Sequence, residues 1–121
     1  MIILVTGKPG SGKTYYARTL CEELMREGRR VYVFDGDEVR KANNNNDFSD
    51  EGRLSHLIII AKAAKFLEKF ADVDVIIAVV APKKEWRDIM RSFWKKSRLV
   101  HLPGGSLWPG TSYERPMEDE F

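Results

Sequence analysis

The sequence is poor in cysteine. Cys21 is the only one in 121 residues, which excludes an internal disulfide and a cysteine-rich zinc centre. It also lacks charge of one sign: 20 Lys and Arg against 18 Asp and Glu leave a net +2, too balanced to argue for a nucleic-acid or membrane partner. No apolar run approaches the ~20 residues needed to cross a bilayer. The opening run Met1–Val5 is too short for a signal-peptide core and passes directly into a glycine-rich loop. No internal repeat is present. The expectation is a soluble, cytoplasmic, single domain over 1–121, in which 103–121 is loop and tail, with no membrane and no nucleic-acid partner.

What the chain does contain is an alternation of short apolar runs and amphipathic stretches. Ile2–Thr6 is a continuous β-branched run, suited to a strand buried on both faces. From Thr14 to about Glu27, Ala17, Leu20, Cys21 and Leu24 recur at helical spacing, with Gly28 where a helix-ending glycine belongs. Val31–Phe34 reads as a second strand and Asn43–Asp47 as a loop. Ser49 or Asp50 can cap a long helix reaching to about Phe70, with Leu54, Leu57, Ile58, Ala61 and Ala64 facing inward. Val73–Val80 reads as a central strand, Lys84 to about Lys95 as a third helix carrying Trp86, Ile89, Met90 and Phe93 on one side, and Arg98–Leu102 as a fourth strand. The end, Glu118–Phe121, is expected to fray. The order β-α-β-α-β-α-β predicts a three-layer α/β/α fold around a four-stranded parallel sheet, with expected order 2-3-1-4. Such sheets bind ligands beyond the carboxyl ends of their strands.

The sharpest motif is Gly7-Lys8-Pro9-Gly10-Ser11-Gly12-Lys13-Thr14, which satisfies G-x-x-x-x-G-K-[ST] between an expected strand and an expected helix. A loop that turns its N–H groups toward phosphates leaves no room for Cβ atoms, hence the glycines. The helix N-terminus adds partial positive charge. The motif assigns ATP to Gly7, Pro9, Gly10, Ser11, Gly12, Lys13 and Thr14, with Lys13 on the β- and γ-phosphates and the Thr14 hydroxyl on Mg2+. Lys8 is either a further phosphate contact or a solvated side chain.

The second strand runs into Asp35-Gly36-Asp37-Glu38-Val39-Arg40. Two carboxylates flanking a glycine at the phosphate edge can hold magnesium and accept a proton from an attacking hydroxyl. Arg40 can neutralise an anionic acceptor. The alternative is an Asp-Gly turn in which Asp37 caps a helix and Arg40 is a surface residue.

The P-loop, DGDEVR (Asp35–Arg40), FSDEGR (Phe48–Arg53), a strand ending in Ala81-Pro82, and Tyr113-Glu114-Arg115-Pro116 stand in the order found in adenylylsulfate kinases, which this chain resembles from about Ile2 to Pro116. The family phosphorylates the 3′-hydroxyl of adenosine 5′-phosphosulfate with MgATP. The resemblance implies that Asp37 is the catalytic carboxylate and Asp35 its supporting partner, and that Arg40 and Arg53 grip the phosphosulfate. It implies that Phe48 stacks on the acceptor's adenine, with Trp108 as a second aromatic. Plainer roles are a hydrophobic plug for Phe48 and a core-edge position for Trp108. The chain departs from the family in three places. Gly52 replaces an acidic residue before Arg53, and His56 replaces an asparagine that contacts the acceptor. Pro103–Ser112, with no positive charge, stands where the family carries a basic lid, and the sequence resembles a short form without the last strand and helix. Lys83, Lys84 and Arg87 either supply part of that charge or form a solvated helix face.

The expected function is thus phosphoryl transfer from ATP to adenosine 5′-phosphosulfate, a small-molecule nucleotide acceptor. Two alternatives are a kinase of the same build acting on another nucleotide or small hydroxyl compound, and a non-catalytic ATP-binding module. A free edge beside the fourth strand suggests a homodimer.

Overall fold

A computed structural model describes residues 1–121. Four strands form one parallel sheet: β1 (Ile2–Thr6), β2 (Val31–Asp35), β3 (Asp74–Val79) and β4 (Ser97–His101), in the order β2-β3-β1-β4. The central pair aligns Ile2 with Val75 and Thr6 with Val79, and β4 aligns Ser97 with Ile2 and His101 with Thr6. The order 2-3-1-4 and the parallel pairing match the expectation.

Successive side chains of a strand point to opposite faces, so a strand buried on both sides must be apolar throughout. In β1, Ile2 and Leu4 face one layer and Ile3 and Val5 the other. The first layer is built from α3 (Asp50–Ala71) and α4 (Lys84–Ser92), which place Leu57, Ile60, Ala61, Ala64, Trp86 and Met90 against Ile2, Leu4, Val75 and Ile77. The second is α1 (Lys13–Arg26), whose Ala17 and Leu24 cover Ile3, Val5, Ile76 and Ala78. Within α3 the buried position is Ile60, while Ile58 is half-buried. The helix presents 57, 60, 61 and 64 to the sheet, a stripe rotated slightly from the one expected. Gly28 (φ +82) ends α1 as expected: its N–H reaches the Met25 carbonyl and that of Arg29 the Leu24 carbonyl, a Schellman closure that needs a left-handed residue.

Three local expectations are corrected. The segment after β2 is a short helix, α2 (Gly36–Ala42), and its cap is Asp35 rather than Asp37: the Asp35 carboxylate accepts from the Asp37 and Glu38 amides. Arg87 is neither a solvated helix residue nor part of a cationic edge. It is 0% exposed and paired with Glu120, itself 4% exposed. Consequently the tail does not fray. Tyr113 bonds Thr6, the Glu114 amide donates to the Pro82 carbonyl, and a 3-10 turn at Glu118–Glu120 brings Glu120 under α4. Charge at the end of a chain suggested solvent; a buried partner on α4 reverses that. No helix is long and apolar enough to cross a membrane.

Candidate active site

The carboxyl ends of β1, β2 and β3 open into a cavity of about 1040 Å³. Its wall on the β1 side is the loop from Gly7 to Gly12. Gly10 (φ +77) and Gly12 (φ +92) adopt left-handed conformations that a side chain would strain, and no side chain caps the first turn of α1. The N-terminal amides of a 14-residue helix are therefore left for an outside anion. Pro9, Gly10, Gly12, Lys13 and Thr14 line the cavity, whereas Gly7 and Ser11 sit behind it. A Cβ on Gly7 would lie 2.6 Å from the Ser11 hydroxyl and 2.8 Å from the Leu102 carbonyl, so the start of the loop is packed against the end of β4. The Ser11 amide donates to Lys8, and its hydroxyl is buried facing Gly7. The Lys8 side chain does not line the cavity; its charge acts on His101 instead.

Lys13 folds back so that its ammonium donates to the Lys8 carbonyl at 2.9 Å, a position bridging the loop. Burial lowers its pKa, while Asp37 and Asp35 act in the opposite sense. The Thr14 hydroxyl donates to Asp35 Oδ2 at 2.5 Å, and Asp35 Oδ1 caps α2. One carboxylate thus joins α1 to α2. The Thr14 and Asp35 oxygens form a hard, all-oxygen pair beside the phosphate cradle, with no thiolate or imidazole among them. That donor set fits magnesium, which binds through one or two protein oxygens and fills its remaining positions with phosphate oxygens and water. Asp37, two residues further on, lines the cavity, and its carboxylate makes no hydrogen bond or ion pair.

Arg40, Phe48, Arg53, His56 and Trp108 also line the cavity. Arg40 donates to Asn45 Oδ1 (3.3 Å) and to the Asp47 carbonyl (3.2 Å), and its guanidinium lies 4.4 Å from the centroid of Phe48. Burial and then the Arg53 charge lower its pKa, with Asp37 and Asp47 acting in the opposite sense, so two guanidinium groups face one space. Phe48 and Trp108 are 58% and 60% exposed, open faces that a planar group can cover. They are cavity walls rather than plugs or core-edge residues.

Gly52 has a local explanation. A Cβ there would lie 2.2 Å from Asp47 Cγ, because the Asp47 carboxylate folds over the start of α3. Asp47 accepts from the Ser49 amide and hydroxyl, which lower its pKa. Ser49 in turn caps α3 through Gly52. A carboxylate therefore stands over this turn although position 52 has no side chain. His56 is 5% exposed, with its ring against Gly36; burial, then the Arg40 charge, pushes its pKa down to about 4. It offers a neutral imidazole to the cavity.

Sequence reading missed several lining residues: Tyr15 and Arg18 on α1, Trp86 on α4, and Ser106 and Thr111 beyond β4. Trp86 follows the helical apolar stripe and is indistinguishable from core in one dimension. The β3–α4 turn, Val80 to Pro82, is also part of the wall. Ala81 there has φ +42, and Arg87 Nη1 holds its carbonyl at 2.8 Å.

A glycine-rich cradle between β1 and α1, at the carboxyl edge of a 2-3-1-4 parallel sheet, defines the P-loop nucleotide-binding class. The family model for adenylylsulphate kinase matches residues 1–102. A probable adenylyl-sulfate kinase of Aeropyrum pernix is 41% identical over 103 residues, 84% of this chain and 56% of that protein. The adenylyl-sulfate kinase of Bacillus licheniformis is 40% identical over 91 residues, covering 74% of this chain and 46% of its own length. The Mycobacterium tuberculosis APS kinase CysC, solved in complex with AMPPNP and APS, superposes with a TM-score of 0.77 at 25% identity over 84% of this chain and 61% of that one. The chain belongs to the adenylylsulphate kinase family, and it spans about half the length of the curated relatives it matches.

Proposed function

We propose that this chain transfers the γ-phosphoryl group of MgATP to the 3′-hydroxyl of adenosine 5′-phosphosulfate. The observation that carries the reading is the single cavity in which Lys13, Thr14, Asp35, Asp37, Arg40, Arg53, Phe48 and Trp108 all meet. Mere nucleotide binding needs no pair of arginines and no free carboxylate opposite the phosphate loop.

In this reading the loop amides of Gly10 and Gly12 and the α1 N-terminus hold the β- and γ-phosphates. Lys13 moves from the Lys8 carbonyl onto the phosphoryl oxygens, where its charge offsets that developing in transfer. Thr14 and Asp35 would hold the magnesium ion, which when bound shields the triphosphate charge. Arg40 and Arg53 bind the phosphosulfate, and Phe48 and Trp108 sandwich the adenine, at ~1–3 kcal/mol per stacked base. The acceptor 3′-oxygen attacks the γ-phosphorus, the bond to the β–γ bridging oxygen breaks, and the hydroxyl proton passes to Asp37. His56, neutral, offers the acceptor one hydrogen bond. We place the protein in the cytoplasm, where Cys21 stays reduced, and place a second copy at the free edge of β4.

A coupled assay tests this. With ATP, magnesium and adenosine 5′-phosphosulfate, the 3′-phosphorylated product should form and should vanish in Asp37→Ala. ADP released at the same rate with and without the acceptor, and no 3′-phosphorylated product, would overturn the reading.

A further inference from the structure

Pro103–Ser112, beyond β4, has no lysine or arginine, yet it is not a bystander to the phosphate loop. The Ser106 amide donates to the Pro9 carbonyl at 3.0 Å. Gly105, at φ +71, lies so close that a Cβ would stand 2.4 Å from the Pro9 oxygen, 2.9 Å from the Ser11 nitrogen and 3.2 Å from the Gly10 carbonyl carbon. These are main-chain atoms of the loop itself and cannot swing aside as a side chain does. Three residues beyond Gly105, the same segment delivers Trp108 to the opposite wall of the cavity, and a bond from Thr111 to the Trp108 carbonyl closes the turn that presents it.

We propose that Gly105 is a positioning residue: it seats the phosphate loop from outside, and through Ser106 to Trp108 it ties the loop's geometry to the acceptor aromatic. The inference rests on the reading that the loop holds the phosphates of a nucleotide. A loop whose amides must converge on phosphate oxygens is sensitive to displacement, a misplacement of ~1 Å costing on the order of 10²-fold. Glycine at 105 avoids a Cβ that would force such a shift from outside the loop. Because the contact is main chain to main chain, a change in the loop on nucleotide binding is carried along the segment to Trp108.

Gly104 supplies a matched control. It has φ +95, so alanine there meets the same left-handed strain, but nothing lies within 4 Å of its Cβ. MgADP binding to the full chain, measured by calorimetry, should weaken at least about tenfold in Gly105→Ala and stay within about threefold of wild type in Gly104→Ala. Equal affinities in the two variants overturn the inference. Absence of MgADP binding in the wild type overturns the functional reading and this inference together, so the two failures are distinguishable. A second measurement does not depend on how Gly105→Ala folds. MgADP should change the tryptophan emission of the wild type, and the change should be smaller in Trp108→Phe, where Trp86 is the one tryptophan still lining the cavity; an undiminished change in that variant overturns the link to Trp108.

Discussion

Arg87 on α4 and Glu120 near the end of the chain form a buried ion pair, with Nε 2.8 Å from Oε1 and side chains 0% and 2% exposed. The remaining groups are satisfied as well: Arg87 Nη1 bonds Ala81, Glu120 Oε2 accepts from the Met117 amide, and Arg91 reaches the Glu120 carbonyl. The pair thus links the tail, α4 and the β3–α4 turn that walls the cavity.

Removing one partner leaves an uncompensated buried charge. Glu120→Ala should lower unfolding stability by about 3–5 kcal/mol, and a charge-free pair such as Arg87→Met with Glu120→Leu should recover much of that loss. Urea denaturation of the three proteins checks this. A loss below about 1 kcal/mol in Glu120→Ala would show that the tail does not hold this position in solution.

Lys13→Ala should reduce turnover by more than about 10³-fold, roughly 4 kcal/mol of transition-state stabilisation, if its ammonium moves onto the phosphoryl oxygens as proposed. Steady-state kinetics decide it. Retention of a tenth of the activity would mean that the loop is not the phosphate cradle used in transfer.

Asp37→Asn keeps the shape of the side chain but removes its basicity. Transfer to the acceptor should fall by about 10²–10⁴-fold while ATP affinity stays near wild type, since Asp35, not Asp37, contacts Thr14 and caps α2. Parallel loss of ATP binding would place Asp37 in the nucleotide site instead.

The buried His56 gives a pH signature. Its pKa in the fold lies near 4, below the ordinary 6.5, because burial and Arg40 disfavour the charged ring. Between these values the unfolded chain binds the proton and the folded one does not, so stability falls as pH drops from about 6.5 to about 4. His56→Asn should flatten that slope. Denaturation midpoints at pH 7 and pH 4.5 for both proteins test it, and identical slopes would show that the ring is not buried as described.

Much of the site was legible in one dimension because its parts are local. Eight consecutive residues make the phosphate loop, and Asp35, Asp37 and Arg40 lie within six consecutive residues. The less local features were harder to read. Asp35 rather than Asp37 caps α2 because the cap depends on backbone conformation at the end of β2, which the Asp-Gly-Asp spelling leaves open. Gly52 departs from the family's acidic residue, and the carboxylate of Asp47, five residues earlier, occupies the space above it.

The four strands, the three longer helices, the parallel sheet and the cradle are legible in one dimension, because hydrophobic periodicity and glycine placement act over a few residues; the short helix α2 is not. Long-range contacts alone bury Arg87, fold the acidic tail onto it and press Gly105 on the phosphate loop. Each of these depends on which residues distant in the chain become neighbours: a charge is buried only where its partner arrives, and a missing Cβ matters only where another backbone passes.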